Sequence, residues 1–495
     1  MKVFKQRGFE IYIALVFMSM TYFYVHMHPD YMSNIDDWTY ISYLRQAWPM
    51  KGEWNPGKVF PETVGGLIGN IAGIVIYPII GDYVKSISGV YGIAYAFMVA
   101  IYVYCFGKTI RVLFDLRLSE LIFTSFVFFF FHFQLTKTSV HNNNYLFKTG
   151  GITMGIFYFI PILLCYIMVL YLLRAILSEE FWNKDLQAIV GMIKKRYLFW
   201  GWIFLLLYLA EFSNLLNSGI LISFIGVAFL FRLVQGIKNK ALKKHIIIYL
   251  TYFVPFFMFL LCAVSETTGG RAGMFEQLSF TEILNSTAQD ISVVWRNVNK
   301  TCVVYIGLLC IVALIISVAK NPKDGSEKRI RFAIGLLTGS FLVNFLFLIL
   351  LTIRLPGYLS YQSVYNGLLI WPVLIGSMSI AYIVRSVEQV RIFIPIVSFV
   401  LFFCLLNIPD NVGNGFGLGD RLYDSNDKKR LYYEDDTSIV QQFIEAESGG
   451  ADEVILHSSV YSGESGMRVA LRIRRTLLRH GVITREIEIE SVEKD

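Results

Sequence analysis

The sequence has 495 residues, of which 55% are hydrophobic and only 16% are charged, and its mean hydropathy is +0.55. A soluble globular domain carries about 25% charged residues, which keep its surface compatible with water. The composition therefore excludes a soluble enzyme and a nucleic-acid-binding protein, although the net charge is +7. It indicates a polytopic membrane protein.

Eleven stretches are long and apolar enough to cross a bilayer, which requires about 20 mostly apolar residues per helix. They lie near 9–27, 88–107, 119–135, 152–173, 197–213, 216–233, 245–264, 301–319, 331–352, 363–384 and 390–407. The predicted fold class is an all-α polytopic membrane protein with about 11 transmembrane helices.

The basic residues predict the orientation of these helices, because Lys and Arg concentrate in cytoplasmic loops. With the N-terminus inside, 23 of the 44 Lys and Arg residues fall in inner loops and ten in outer loops. If a further apolar stretch at 64–80 also crossed the membrane, every later loop would lie on the opposite side, and the basic loops would face outward. Since this stretch is rich in glycine, we interpret it as a re-entrant or interfacial helix within a first outer loop at 28–87. This topology places the C-terminus outside.

The first outer loop carries an acidic pair, Asp36 and Asp37, about ten residues after the first helix. The apolar residues that follow, from Trp38 to Trp48, have roughly helical spacing and predict a surface helix. Two interpretations of the pair remain open. Carboxylates in a first turn stabilise the helix dipole, and a carboxylate near the membrane surface can also act in catalysis.

The other predicted outer loops contribute further polar candidates. One is Glu211. Desolvation of an ionisable residue at membrane depth costs several kcal/mol unless the group is paired or reaches water, so such a residue is a functional candidate. The remaining candidates are His141, Tyr145, Lys148, Asn214, Arg271 and Arg354. Each cation taken alone is consistent with a side chain that simply reaches the lipid headgroups.

This arrangement resembles the GT-C superfamily of membrane glycosyltransferases, in which an acidic motif lies in the first outer loop. The stretches at 147–164, 211–219 and 267–271 are similar to bacterial GT-C-like families, including the serotype-converting O-antigen glucosyltransferases. The resemblance covers about residues 1–407. It implies a hexosyltransferase that moves a sugar such as glucose from a polyprenyl-phosphate donor to an extracytoplasmic glycan such as O-antigen.

The resemblance also implies roles for the candidate residues. Asp36 or Asp37 would be the catalytic base, with Asp37 favoured, because one carboxylate that deprotonates the acceptor hydroxyl is sufficient when phosphate is the leaving group. Arg271 and Arg354, followed by Lys148 and His141, would bind the donor phosphate. The proposed sugar and acceptor ligands are Trp38, Glu211, Asn214 and Tyr145. Adjacent carboxylates could hold Mg²⁺ or Mn²⁺, whereas many members of the family that use polyprenyl monophosphates need no metal, so both alternatives stay open.

The last residues, 408–495, are rich in charge and predict a small extracytoplasmic α/β domain after a Gly/Asn linker. Two helices and two strands are expected, at 438–447, 453–461, 465–480 and 485–492. We expect this domain to recognise the acceptor or to stabilise the membrane domain at 1–407.

Two other functions remain open from the sequence. An O-antigen polymerase or ligase would also be polytopic, and so would a flippase or transporter of lipid-linked sugars. The expected partners are the lipid bilayer, the lipid-linked donor and the glycan acceptor. The expected location is the cytoplasmic (inner) membrane, with the active site on its periplasmic side.

Overall fold

The computed structural model describes nine main segments of the chain. These are residues 2–44, 59–136, 145–177, 197–238, 246–268, 279–319, 325–352, 356–388 and 426–494, with isolated positions at 393, 397 and 400. The described chain is mostly helical, with one small two-stranded sheet.

Thirteen helices precede the C-terminal residues in the described segments. They are α1 (Lys2–Tyr22, extended by a π-turn at Phe23–Met27), α2 (Ile35–Tyr40), α3 (Phe60–Ile80), α4 (Tyr83–Phe114), α5 (Leu118–Gln134), α6 (Ile152–Leu177), α7 (Tyr197–Glu211), α8 (Leu215–Lys238), α9 (Ile246–Thr268), α10 (Phe280–Asn297), α11 (Lys300–Ala319), α12 (Gly325–Thr352) and α13 (Gln362–Ser386).

Helices lie at ten of the predicted apolar stretches to within several residues, and the stretch at 390–407 lies almost wholly outside the described residues. Three of the ten, α5, α7 and α9, contain shorter apolar helices of 10–17 residues. Eight of the described helices are long and apolar enough to cross a membrane. Their outward surfaces are themselves apolar, with large exposed side chains such as Leu230, Val318 and Leu350. Soluble proteins rarely expose apolar surface of this extent to water. The chain therefore has the architecture of a polytopic helical membrane protein.

One helix was not predicted. The loop expected at 265–300 contains α10, which begins with a capping box: the Ser279 hydroxyl accepts a hydrogen bond from the Glu282 amide, and the Glu282 carboxylate accepts one from the Ser279 amide. This reciprocal pairing satisfies donors at the helix start. Because α10 is amphipathic and not continuously apolar, the hydropathy pattern that indicates a membrane-spanning helix is absent from its sequence.

Helices α1 and α4 pack antiparallel and define one end of the bundle. A Cβ on Gly107 would meet the Phe9 ring, and a Cβ on Gly92 would meet the Tyr24 carbonyl oxygen at 3.1 Å. Helix α4 begins nine residues before Gly92, at Tyr83. At 1.5 Å per residue, its first turns project about 14 Å beyond Tyr24. We call this end of the bundle the docking end.

Helix α3 lies against the docking end with a row of glycines. A Cβ on Gly69 would clash with the Ile41 carbonyl oxygen, and a Cβ on Gly73 would clash with Nδ1 of His480. By length and composition α3 could cross a membrane. However, its midpoint contacts the charged C-terminal residues, whereas the midpoint of a spanning helix lies in hydrocarbon. This contact favours the prediction that α3 lies at the surface.

The C-terminal module, residues 426–494, is a compact α/β unit. It consists of α14 (Asn426–Ser448), β1 (Glu453–Ser458), α15 (Gly463–His480) and β2 (Glu488–Lys494). The strands pair in parallel, with α15 as the crossover between them. The predicted helices and strands are all present, although the predicted linker lies outside the described residues.

The C-terminal module docks on α2 and the start of α4. The Thr476 hydroxyl donates to the Trp38 carbonyl oxygen at 2.7 Å, across 438 residues of sequence. The Tyr433 hydroxyl donates to Asp82 at 2.7 Å. The hydroxyl of Tyr83 lies 2.7 Å from Nδ1 of His480. Polar contacts between distant segments therefore fix the module against the docking end.

His480 makes this docking sensitive to pH. Burial lowers the pKa of His480 to about 4 from its ordinary value of 6.5. Between these values the unfolded chain binds a proton that the docked histidine does not, so stability falls as the pH decreases from about 6.5 to about 4. The largest possible effect is on the order of 3 kcal/mol.

We expect the thermal midpoint of the wild-type protein to fall more than that of His480→Gln when the pH is lowered from about 7.5 to about 5. Circular dichroism or scanning fluorimetry measures this difference. His457→Gln is the matched control, because His457 is an exposed histidine of the same module. Equal pH dependence in the wild type and His480→Gln would contradict the assignment.

Candidate functional site

The acidic pair lies at the start of α2, where an asparagine caps the helix. The side-chain oxygen of Asn34 accepts hydrogen bonds from the backbone amides of Asp36 and Asp37, at 2.9 and 3.0 Å. This cap satisfies amides that a helix start otherwise leaves free. Neither carboxylate is therefore needed for capping. Helix α2 ends at Tyr40, so the surface helix predicted to reach Trp48 is short in its described part.

The two carboxylates have different environments. Asp36 is exposed, whereas the side chain of Asp37 is completely buried. Asp37 Oδ1 accepts a hydrogen bond from the Thr153 amide at 2.7 Å. Its Oδ2 accepts from the amide and the hydroxyl of Ser33, at 2.9 and 3.2 Å. Asp37 thus joins the segment after α1 to the start of α6.

Burial raises the pKa of Asp37 above its ordinary value, and the hydrogen bonds from Thr153 and Ser33 act in the opposite direction. A carboxylate with a raised pKa is a stronger base than an exposed aspartate. A carboxylate offers about four acceptor positions, of which three are occupied. The remaining acceptor capacity of Asp37 is enclosed by protein, since its side chain has no exposed surface.

The turn before α6 is shaped to receive Asp37. Gly151 has φ +147°, and a Cβ at this position would lie 3.5 Å from both Asp37 Oδ2 and the Ser33 hydroxyl. This backbone conformation is almost confined to glycine. The glycine pair at 150–151 therefore brings the Thr153 amide to the carboxylate.

A second buried carboxylate approaches this site from the C-terminal module. Asp436 is fully buried beside Trp38, and the Tyr461 hydroxyl donates to its Oδ1 at 3.5 Å. Burial, together with the charges of Asp435 and Asp37, raises the pKa of Asp436 well above its ordinary value. The sequence interpretation missed this residue, because no local pattern links position 436 to position 37.

Two predicted sugar ligands lie in the protein interior. The Trp38 ring is fully buried and stacks on Tyr83, with centroids 6.2 Å apart. Tyr145 is 1% exposed and packs against Phe133 and His28. The structure therefore places both aromatic rings in packing contacts and not on an accessible surface.

Lys148 and Asn214 both lie near the first turns of α6. Lys148 lines a small cavity of about 40 Å³ together with Tyr158 and Asn366. The Asn214 amide donates to the Phe157 carbonyl oxygen at 3.1 Å. This carbonyl belongs to a π-turn, Gly155–Phe159. Asn214 is thus a structural partner of the widened turn.

Glu211 is completely buried at the end of α7. Among the described residues, neither of its carboxylate oxygens has a hydrogen-bond partner. Such a group costs several kcal/mol unless it is protonated or paired with a ligand. Glu211 therefore remains a functional candidate.

Three predicted phosphate ligands, His141, Arg271 and Arg354, lie outside the described residues. Within the described segments, no cluster of three or more His, Cys, Asp or Glu side chains could hold a metal ion. The acidic pair also fits a metal poorly, since Asp36 is exposed while both Asp37 oxygens accept hydrogen bonds.

Comparisons with protein-family models, with curated proteins and with solved structures give no match to this chain. The functional interpretation therefore depends on the geometry of the site and on its chemistry.

We expect Gly151→Ala to destabilise the protein by about 1–3 kcal/mol, because alanine adopts this backbone conformation only with strain. Thermal unfolding measures the change. Gly150→Ala is the matched control: its new Cβ would meet only the flexible end of the Met154 side chain. Equal stability of the two variants would contradict the role assigned to Gly151.

Proposed function

We propose that the protein is a polytopic membrane glycosyltransferase of the GT-C type, with Asp37 as its catalytic base. The observation that supports this most is the buried Asp37 carboxylate, positioned by Ser33 and Thr153 just beyond the end of α1. The proposal includes the predicted topology, with eleven spans, the N-terminus in the cytoplasm and the site on the periplasmic side of the inner membrane.

The proposed reaction transfers a hexose such as glucose from a polyprenyl phosphate to a hydroxyl group of an extracytoplasmic glycan such as O-antigen. Asp37 accepts the proton of the acceptor hydroxyl, whose oxygen forms the new bond to the anomeric carbon. The bond between that carbon and the phosphate oxygen breaks, and its electron pair leaves with the phosphate. Cations stabilise this departing charge, and Arg271, Arg354 and Lys148 remain the proposed ligands.

The burial of Asp37 places one requirement on this mechanism. An acceptor hydroxyl must come within about 3 Å of the carboxylate, but the side chain has no exposed surface in this structure. The turn at Gly150 and Gly151 covers Asp37 Oδ2. Acceptor binding therefore has to displace this turn or the segment around Ser33.

We expect Asp37→Asn to lower sugar transfer by about 10²–10⁴-fold, the usual contribution of a general base. The assay measures transfer from synthetic polyprenyl-phosphate sugars by the purified full-length protein. Asp36→Asn is the matched control, because it removes the same charge from the adjacent exposed residue. Activity should persist in that variant.

The wild-type rate should rise with pH, because only the deprotonated carboxylate accepts the proton. The midpoint of this rise should lie above the ordinary aspartate pKa, since burial raises the pKa of Asp37. Full activity of a folded Asp37→Asn protein would contradict the proposal. Movement of the lipid-linked sugar across vesicles without any transfer would instead indicate a flippase.

A further inference from the structure

One cavity of the described structure lies between α2, α3 and the C-terminal module. Its volume is about 300 Å³, at the lower limit for small-molecule sites. The lining residues are Thr39, Tyr40, Ser42, Tyr43, Glu62, Arg472, Arg475, Thr476 and Arg479. Each of these nine residues carries a hydroxyl or a charge, so the cavity is suited to a polar ligand.

Three arginines dominate the charge of this cavity. Arg472, Arg475 and Arg479 lie on one face of α15, at spacings of three and four residues. With one carboxylate, Glu62, the lining has a formal charge of about +2. This balances a phosphomonoester, which carries about −1.5 to −2 at neutral pH. The guanidinium group also matches the geometry of phosphate oxygens.

The arginines are available for such a ligand. Within the described residues, the ion pairs formed by α15 use Arg468 and Arg474, and Arg472 and Arg475 take part in none of them. Arg479 is held in position, since it donates to the Ser42 hydroxyl at 3.4 Å and lies over the Tyr43 ring at 5.9 Å. Among the described residues, two of the guanidinium groups of the cavity thus form no ion pair, and the third contacts Ser42 and Tyr43.

The surroundings of the cavity include apolar surface. Tyr43 is 39% exposed, and the neighbouring Leu44 and Leu67 are 49% and 50% exposed. A lipid chain could lie along these side chains while its headgroup enters the cavity. The cavity also begins on α2, two residues after Asp37, at Thr39.

We propose that this cavity binds a phosphate group, with Arg472, Arg475 and Arg479 as its ligands. The phosphate belongs either to the headgroup of an isoprenoid lipid or to a free anion. This inference concerns binding alone. Only its identification with the donor phosphate rests on the proposed function.

Binding of geranyl phosphate, inorganic phosphate and geraniol to the full-length protein in phosphatidylcholine nanodiscs tests the proposal. We expect the wild type to bind at least one phosphate ligand and not the alcohol. Arg472→Gln and Arg475→Gln should each weaken binding about tenfold, because a charge-assisted hydrogen bond contributes more than one power of ten in affinity. Both changes leave the described contacts between the module and α2 intact.

Arg468→Gln is the matched control, since this arginine lies on the same helix, is exposed and pairs with Glu464. Its affinity should remain within about twofold of the wild type, given the weak long-range effect of exposed charges. Much tighter binding of geranyl phosphate than of inorganic phosphate would assign the site to a lipid headgroup. Equal affinities would assign it to a free anion.

Three results would overturn the proposal: no binding of either phosphate by the wild type, wild-type affinity in both Arg472→Gln and Arg475→Gln, or an equal loss in Arg468→Gln. Because no turnover is measured, this test is separate from that of the transferase. An active Asp37→Asn protein that still binds phosphate would remove the proposed reaction and leave this site in place.

Discussion

The Asp37 carboxylate can lie in the protein interior only because three donors replace the water that it loses. An isolated buried charge costs far more than a folded domain can supply, so such a group has to be neutralised, paired or hydrogen-bonded. Here the donors come from two places, Ser33 beside the helix and Thr153 at the start of α6. Any shift of α6 relative to α2 would therefore leave the carboxylate without its Thr153 donor, and this constraint holds α2 against the start of α6.

The position of α2 determines what the C-terminal module can contact. Trp38 follows Asp37, stacks on Tyr83 and offers its carbonyl oxygen to Thr476. The same short helix carries Thr39 and Tyr40 into the arginine-lined cavity. One six-residue helix thus carries the buried Asp37, contacts the buried Asp436 of the module through Trp38, and lines the arginine-lined cavity. Its own hydrogen bonds are too few to hold it in place, and its neighbours fix its orientation.

The sequence predicted the apolar helices well, because length and hydropathy define a helix that faces lipid. It also predicted the module, whose elements have strong periodicity. It did not predict that Asp37 is buried and Asp36 exposed. Two adjacent aspartates cannot be distinguished by local sequence, because the partner that holds Asp37, Thr153, is distant in the chain. The approach of Asp436, and the convergence of three arginines on residues 39–43, are likewise products of packing between segments that are far apart in the sequence, by as many as 438 residues.

The contact between Thr476 and Trp38 also has a consequence for biosynthesis. Residue 476 leaves the ribosome after every described apolar helix, so the surface around α2 stays incomplete throughout membrane insertion. The contact between Trp38 and Thr476 closes a loop of 438 residues. Such long-range contacts form slowly, although the entropic cost of loop closure grows only with the logarithm of the loop length. A chain that stops before α15 has neither the arginines nor the cover over Trp38. Completion of the polypeptide is thus coupled to assembly of the cavity.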